Sequence, residues 1–373
     1  MTRRRYSWLL GLGAATLCLA AAEAVSRLLP KNYYEWQHRY MFLSEGVITN
    51  KTLKDGSTTQ WYKPNKAINW AVFYGYPFHK PKLEYSVWLT SNNIGLIQSR
   101  NFEPEKKSIA IFGDSFTEPQ ATNPWFYSLE NHWNSISPNS NFQLLNFGYQ
   151  GTGIGRWDQI TNNLKDDYKI KKAVYVAIAQ DFARLNQSGW SEGDLDCFDT
   201  TKSCPGLYYQ PILGNDQSTK TLGTRASQEI IGRHHQLNDR ITFALCGSSE
   251  LLRQVSSLTG KPCYKTPPTE YQTSLQQQMG TGFYFFKKHI ELYGKENVHL
   301  VWIPERNEAA TGNKSPLSRK LIRFTGNHIP KENIILCELG PNDYHEKDGH
   351  QNEEGSRKIY KCVSQSLEKM SKE

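Results

Sequence analysis

The 373-residue sequence contains no Cys-x-x-Cys pair, no internal repeat and no low-complexity tract. Because closely spaced cysteines are missing and His234-His235 stands apart from every cysteine, we expect no zinc site. Tracts that interleave basic and aromatic residues are also missing, so nucleic acid is not an expected partner. The formal net charge of +8 is scattered along the chain. With 373 residues and 38% hydrophobic content, the chain is long enough for one large domain plus an extension, or for two modest domains.

A mostly apolar run without charge lies near the N-terminus, from Trp8 to Ala22. Arg3 to Arg5 precede it, a pattern that also loosely resembles a twin-arginine export signal. The run is shorter than the ~20 residues that a membrane-spanning helix prefers. Residues 1–30 are therefore either a signal peptide or, if the segment continues past Glu23, an uncleaved anchor that holds the protein to the membrane. Both alternatives predict an extracytoplasmic protein, either exported or anchored in the membrane and facing the periplasm.

Seven cysteines are present, and Cys18 falls inside this N-terminal segment. The other six form an even set, which favours disulfide bonds in an exported protein. Short-range pairing predicts the bonds Cys197–Cys204, Cys246–Cys263 and Cys337–Cys362. The alternative is that these cysteines are buried free thiols.

Two regions of different pattern follow. Residues 31–107 are rich in aromatic residues and short alternating segments, which predicts a β-rich extension. Residues 108–373 form the expected main domain, with strand patterns near 108–112, 143–146, 173–179, 298–303 and 333–337 and helical patterns between and after them. Such alternation predicts a parallel sheet covered by helices on both faces. Residues 187–269 are polar and irregular, so we expect an insertion with its own structure.

A candidate nucleophile follows the first strand of the main domain. The apolar run from Ile109 to Phe112 stops at Gly113-Asp114-Ser115, which places a hydroxyl at the carboxyl edge of the sheet. A serine hydroxyl is a weak nucleophile unless a base accepts its proton. Near the C-terminus, Asp348 and His350 lie in a loop before a helix and supply a base with an acidic partner. The sequence therefore predicts a triad of Ser115, His350 and Asp348.

Two further strand ends carry candidate oxyanion donors. The segment from Asn146 to Gly153 follows a strand, and its glycines allow close approach of the backbone to a ligand. A dinucleotide-binding Gly-x-Gly-x-x-Gly loop that starts at Gly151 is excluded because Arg156 stands at the last position. A plain tight turn is the alternative. At the end of the next strand, Gln180 offers a side-chain amide to an oxyanion, and simple strand termination explains the residue equally well.

These segments, in this order, resemble the SGNH (GDSL) hydrolase family from residue 108 to the C-terminus. The resemblance implies a three-layer α/β/α fold with a flavodoxin-like parallel sheet. It also implies that Ser115 is the nucleophile and contributes its amide to the oxyanion hole, that Gly151 supplies a second amide, and that His350 is the base. Asn352 and Gly355 complete the family's His-x-Asn-x-x-Gly pattern.

Two positions depart from the family pattern. Gln180 stands where the family has asparagine, so the third oxyanion donor is one carbon longer. Lys347 stands where the usual Asp-x-x-His would place the acid. Asp348, two residues before His350, is therefore the expected acid, with Asp343 as the alternative.

A competing serine and a competing histidine are also present. Ser191 lies in Gly189-Trp190-Ser191-Glu192-Gly193, which matches the Gly-x-Ser-x-Gly pattern of α/β-hydrolases. That pattern needs a strand before it and a helix after it, whereas this segment lies in a polar loop. His345 is a possible base, but nothing like the Asn352 and Gly355 pattern follows it.

The resemblance implies a serine esterase that hydrolyses an ester through an acyl-enzyme on Ser115, without a metal or a cofactor. The expected substrate is an ester or acylated glycan, such as O-acetyl groups on a cell-envelope polysaccharide. One alternative is an O-acetyltransferase that passes the acyl group to a sugar hydroxyl. The other is a non-catalytic SGNH-like envelope binding protein, which Gln180 and the shifted acid favour.

Overall fold

The computed structural model describes residues 2–28, 38–75, 81–118, 122–138, 140–185, 209–212, 218–233, 249, 251–252, 255 and 269–371. Within these residues the strands are β1 (His38–Ser44), β2 (Ile48–Thr52), β3 (Thr58–Tyr62), β4 (Ala67–Gly75), β5 (Lys82–Thr90), β6 (Lys107–Gly113), β7 (Phe142–Asn146), β8 (Ile170–Ala177), β9 (Tyr209–Ile212), β10 (Val298–Trp302) and β11 (Ile334–Leu336). The α-helices are α1 (Thr2–Leu28), α2 (Trp125–Ile136), α3 (Ile154–Leu164), α4 (Thr219–Arg233), α5 (Thr269–Tyr293), α6 (Arg306–Thr311), α7 (Pro316–Gly326) and α8 (Glu353–Met370).

A five-stranded sheet in the order β7-β6-β8-β10-β11 carries the candidate site. Every neighbouring pair in it is parallel, which confirms the predicted parallel sheet. Counted from β6, the strand order is 2-1-3-4-5, as in flavodoxin-like folds. The order reverses beside β6, and ligands of such sheets bind outside the carboxyl ends of the strands at this point.

Side chains of the central strands alternate between two hydrophobic cores. On β6, Ile109 and Ile111 pack in the core formed with α2 and α8, whereas Ala110 and Phe112 pack in the core formed with α3, α5 and α7. Because β6 is buried on both faces, its sequence is a continuous apolar run rather than an alternating one. Helices therefore lie on both sides of the sheet, which gives the predicted α/β/α layers.

Residues before β6, together with β9, form a second sheet, and residues before β6 also form a hairpin. The second sheet has the order β5-β4-β1-β9, with β1 and β9 parallel. Strands β2 and β3 pair antiparallel. Arg156 of α3 anchors the hairpin, because its guanidinium donates to Thr59 Oγ1 at 2.5 Å and to the Gln60 carbonyl at 2.8 Å. Buried Arg156 thus has a packing role at the position where a dinucleotide loop would need glycine.

The chain divides into two compact units. The larger comprises Met41–Val72, Leu83–Thr219 and Thr269–Glu373, and the smaller comprises Met1–Tyr40, Phe73–Lys82 and Lys220–Pro268. In the smaller unit, Glu23 of α1 accepts hydrogen bonds from the Ser249 hydroxyl at 2.8 Å and the Leu251 amide at 3.1 Å. Helix α1 has 27 residues. None of the helices in the described ranges is both long enough and apolar enough to cross a membrane.

A disulfide bond joins Cys337 and Cys362, which confirms one of the three predicted pairs. It ties the segment after β11 to α8, with the two Cα atoms 5.8 Å apart. The predicted pairs Cys197–Cys204 and Cys246–Cys263 lie outside the described residues, as does most of the predicted 187–269 insertion.

Candidate active site

Ser115 lies on a tight turn directly after β6. The Asp114 carbonyl accepts a hydrogen bond from the Thr117 amide at 3.0 Å, and Asp114 Oδ1 accepts from the Phe116 amide at 2.9 Å. Gly113 is needed at the strand end, because a Cβ atom there would lie 2.0 Å from Thr117 Oγ1. The turn holds Ser115 at the carboxyl edge of the sheet with 6% of its surface exposed.

Ser115, His350 and Asp348 form a continuous hydrogen-bonded chain. His350 Nε2 lies 2.6 Å from Ser115 Oγ, and His350 Nδ1 is hydrogen-bonded to Asp348 Oδ1. Asp348 Oδ1 also accepts from the His350 amide at 3.2 Å. Since the carboxylate accepts from Nδ1, the tautomer inferred from these contacts leaves Nε2 free to take the serine proton. The arrangement is suited to activating a hydroxyl nucleophile.

The N-terminus of α8 fixes the loop that carries the histidine. Asn352 is the N-cap residue, and its Oδ1 accepts from the Gly355 amide at 3.1 Å. A Cβ atom at Gly355 would lie 2.2 Å from the Asp343 carbonyl oxygen, so only glycine fits. Asn352 and Gly355 therefore shape the loop from which His350 reaches the serine turn.

The competing residues have other contacts. Asp343, the alternative acid, accepts from Lys358 Nζ at 2.7 Å and from the Gly340 amide at 2.6 Å. Its carboxylate is thus part of an ion pair with α8, whereas the imidazole pairs with Asp348. His345 packs against the Tyr85 ring, with ring centroids 4.9 Å apart. Ser191 lies outside the described residues.

Two backbone amides are available at this edge of the sheet. Gly151 lies in the loop after β7 with φ +67°, a conformation that favours glycine. In the part of the chain that the structure describes, neither the Gly151 amide nor the Ser115 amide donates to a protein acceptor. The loop and the serine turn also pack closely, because a Cβ atom at Gly148 would lie 2.6 Å from the Glu118 nitrogen. Free amides on such loops can stabilise a developing oxyanion.

Gln180 donates its side-chain amide to a carboxyl group. Its Nε2 lies 3.1 Å from Glu305 Oε2. Burial raises the pKa of Glu305 to about 7, and the nearby charge of Glu308 adds to the shift. The amide that the sequence predicts for the oxyanion is therefore paired with a group whose charge changes near neutral pH.

Arg184 connects the loops that follow three neighbouring strands. Its Nη1 donates to Asp114 Oδ2 at 2.8 Å, to Asp181 Oδ1 at 2.6 Å and to the Thr152 carbonyl at 3.5 Å. These three acceptors directly adjoin the predicted site residues of the sheet edge. Burial and the charge of Asp114 raise the pKa of Asp181. The positive charge of Arg184 compensates the carboxyl groups of Asp114 and Asp181. Among the described residues, no group of three or more His, Cys, Asp or Glu is placed to hold a metal ion.

Glu118 is a buried carboxyl group three residues after Ser115. Its Oε1 accepts from the Tyr62 hydroxyl, and its Oε2 accepts from the Gln150 amide at 2.8 Å. Burial raises the pKa of Glu118 to about 7, although both hydrogen bonds lower it. Because Tyr62 belongs to β3 and Gln150 to the glycine loop, Glu118 joins both segments to the serine turn.

A cavity of about 460 Å³ has neither Ser115 nor His350 nor Asp348 among its lining residues. It lies between the N-termini of α2 and α8, and Trp125 and Tyr360 are among its lining residues. The Trp125 indole donates to the Phe116 carbonyl at 2.9 Å, so the cavity wall is attached to the serine turn.

Sequence reasoning missed three residues of this region, namely Tyr85, Arg184 and Glu118. Tyr85 donates its hydroxyl to Asp348 Oδ2 at 3.0 Å across a sequence separation of 263 residues. No motif spacing links residues so far apart. The alternating pattern of β5 is the one local signal, since it places Tyr85 on the buried face of the strand.

The comparisons with known proteins add little to this geometry. No protein-family model matches the chain, and no curated protein matches it. Among solved structures, the chain is similar to the crystal structure of the lipase/acylhydrolase from Enterococcus faecalis, with 10% sequence identity over 70% of this chain and 95% of that chain. The TM-score is 0.35. A score of this size does not establish a common fold, so function has to be argued from the chain's own residues.

Proposed function

We propose that the protein is a serine esterase that forms an acyl-enzyme on Ser115. The observation that carries this proposal is the hydrogen-bonded chain from Ser115 Oγ through His350 to Asp348, in which Oγ and Nε2 are 2.6 Å apart. A hydroxyl so close to an imidazole that is itself oriented by a carboxylate has the geometry of an activated nucleophile. The same distance favours an enzyme over a non-catalytic binding protein.

In the proposed reaction, Ser115 Oγ attacks the ester carbonyl carbon while His350 Nε2 takes the hydroxyl proton. The tetrahedral intermediate then releases the alcohol, which receives that proton from His350, and an ester to Ser115 remains. Water attacks this acyl-enzyme, His350 accepts a proton from the water, and the carboxylic acid leaves as Ser115 recovers its proton. Asp348 keeps the imidazole in the productive tautomer and stabilises the imidazolium between these steps.

The Ser115 and Gly151 amides are the proposed donors to the oxyanion. Both lack a protein acceptor within the described ranges, and they lie at the ends of adjacent strands β6 and β7. Each such donor typically contributes a few kcal/mol to transition-state stabilisation. For Gln180 to act as a third donor, its amide has to exchange the Glu305 carboxyl for the oxyanion.

We further propose that the ester is an acyl group, such as acetyl, on a cell-envelope glycan. The proposed location in the cell envelope rests on the basic and apolar N-terminal segment and on the Cys337–Cys362 bond, since disulfides form mainly outside the reducing cytoplasm. In this proposal residues 1–30 export the protein or hold it at the membrane.

Hydrolysis of a short-chain aryl ester tests the proposed activity. We expect Ser115→Ala to abolish turnover while the far-UV circular dichroism and thermal unfolding stay unchanged. Ser135→Ala is the matched control, because Ser135 is an exposed serine of α2 whose hydroxyl donates to the local His132 carbonyl. Turnover that survives in Ser115→Ala contradicts the proposal.

A further inference from the structure

We propose that Tyr85, on strand β5, is a positioning residue for the triad and holds the Asp348 carboxylate in line with the His350 imidazole. The proposal rests on the esterase function inferred above. Its basis is the hydrogen bond from the Tyr85 hydroxyl to Asp348 Oδ2 at 3.0 Å, between two buried side chains. The extension that precedes the catalytic sheet thereby reaches the catalytic acid.

The short Asp348-Gly349-His350 spacing explains why such an anchor matters. Asp348 Oδ1 accepts from both the imidazole and the amide of His350, and these two contacts lie within its own loop. A local turn of this kind fixes one oxygen and leaves the carboxylate plane to be set from elsewhere. The Tyr85 hydroxyl binds the second oxygen from a different part of the chain and so fixes the plane.

Strand β5 contacts the same loop at two further points. Glu84 Oε1 accepts from the Lys347 amide at 2.7 Å. The Tyr85 ring packs on the His345 ring with centroids 4.9 Å apart. The neighbouring residues Glu84 and Tyr85 therefore contact the loop both at Asp348 and at residues just before it. The loop is held between β5 on one side and the N-cap of α8 on the other.

The hydroxyl also affects the charge of the triad. A hydrogen bond donated to a carboxylate favours its ionised form and spreads its charge. When the donor is removed, the carboxylate takes up a proton more readily and its fuller charge also favours the imidazolium. Both effects move the acidic limb of the pH–rate profile to higher pH. Other charged or titratable groups at this loop, namely Glu84, His345, Glu346 and Lys347, are unchanged by a substitution at position 85.

Tyr85→Phe is the test variant, because it removes the hydroxyl and keeps the ring that packs on His345. Tyr127→Phe is the matched control, since the Tyr127 hydroxyl accepts from the Thr90 amide of the same strand at 2.7 Å. We expect Tyr85→Phe to lower kcat about tenfold with little change in KM. We also expect its acidic limb to move up by about half a pH unit or more, and the control to match the wild type.

Two outcomes overturn the proposal. One is a Tyr85→Phe enzyme whose kcat and pH profile equal those of Tyr127→Phe, which leaves Tyr85 a packing residue. The other is an unchanged low-field proton resonance of His350 Nδ1 in Tyr85→Phe, since that signal reports the bond to Asp348 without any turnover. The resonance separates the two proposals. If the wild type shows no Ser115-dependent esterase activity, the proposed function fails, while a resonance shifted in Tyr85→Phe and unshifted in Tyr127→Phe still supports the role of Tyr85.

Discussion

Replacing Asp348 with asparagine tests which carboxylate serves the triad. In the native chain, Asp348 Oδ1 is hydrogen-bonded to His350 Nδ1, which leaves Nε2 free to accept the Ser115 proton 2.6 Å away. An asparagine at position 348 can donate its amide to Nδ1. The imidazole proton then moves to Nε2, where it points at the serine and blocks proton transfer.

The expected loss follows from this change of tautomer. A triad that keeps its geometry with the wrong tautomer loses about 10⁴-fold in kcat, which corresponds to about 5 kcal/mol of transition-state stabilisation. Asp343→Asn removes instead an ion pair with Lys358, whose side chain is 37% exposed. Solvent screens such a pair, so we expect a loss of about 1 kcal/mol in the free energy of unfolding and little change in kcat.

Steady-state hydrolysis of an aryl ester by the two variants, with urea denaturation of each, measures both effects. We expect a large kcat effect for Asp348→Asn alone. A near-normal kcat in Asp348→Asn together with an inactive, folded Asp343→Asn would refute the assignment of the acid.

Three further predictions concern stability. Arg184→Met leaves the buried Asp114 and Asp181 pair unbalanced, so we expect urea denaturation to show a loss of about 3 kcal/mol, and a loss near zero would contradict this role. Replacing Cys337 and Cys362 with serine opens a link across 25 residues, and we expect about 3 kcal/mol less stability, visible as a lower Tm; an unchanged Tm speaks against it. The pKa of Glu118 is raised by burial from 4.5 to about 7 in the folded state. Folding therefore favours the neutral form of this carboxyl group. Its contribution to the free energy of unfolding is fully present below about pH 4.5, and about 3 kcal/mol of it is lost as the pH rises to about 7. Glu118→Gln should flatten this fall in unfolding free energy, and a wild-type pH slope in the variant would disprove it.

Local chemistry in the sequence was enough to predict the parallel sheet and to single out the three residues that the structure joins by hydrogen bonds. The run from Ile109 to Phe112 is apolar on both faces because both faces of β6 are covered, and it stops where Gly113 permits the turn. The pattern around His350 can also be recognised from local sequence, because Asn352 is the N-cap residue of α8, which begins at Glu353. Each of these signals lies within a few residues of the group it positions.

Contacts between distant segments could not be read in the same way. Spacing left Asp343 and Asp348 open as the acid, and in the structure Lys358 pairs with Asp343 while His350 bonds Asp348. Arg184 joins loops after three different strands, and Tyr85 reaches Asp348 from β5. Side chains that meet only because the sheet packs them together show no periodic pattern in the sequence. Such contacts can therefore be identified only from the folded structure.

Labelling with a fluorophosphonate probe, followed by intact mass measurement, tests most directly whether Ser115 is an activated nucleophile. The probe phosphonylates activated serines and needs no knowledge of the natural ester. We expect one adduct on the wild-type chain, located on Ser115 by peptide mapping, and none on folded Ser115→Ala. An unlabelled wild-type chain, or equal labelling of Ser115→Ala, would contradict the proposed catalytic role of this serine.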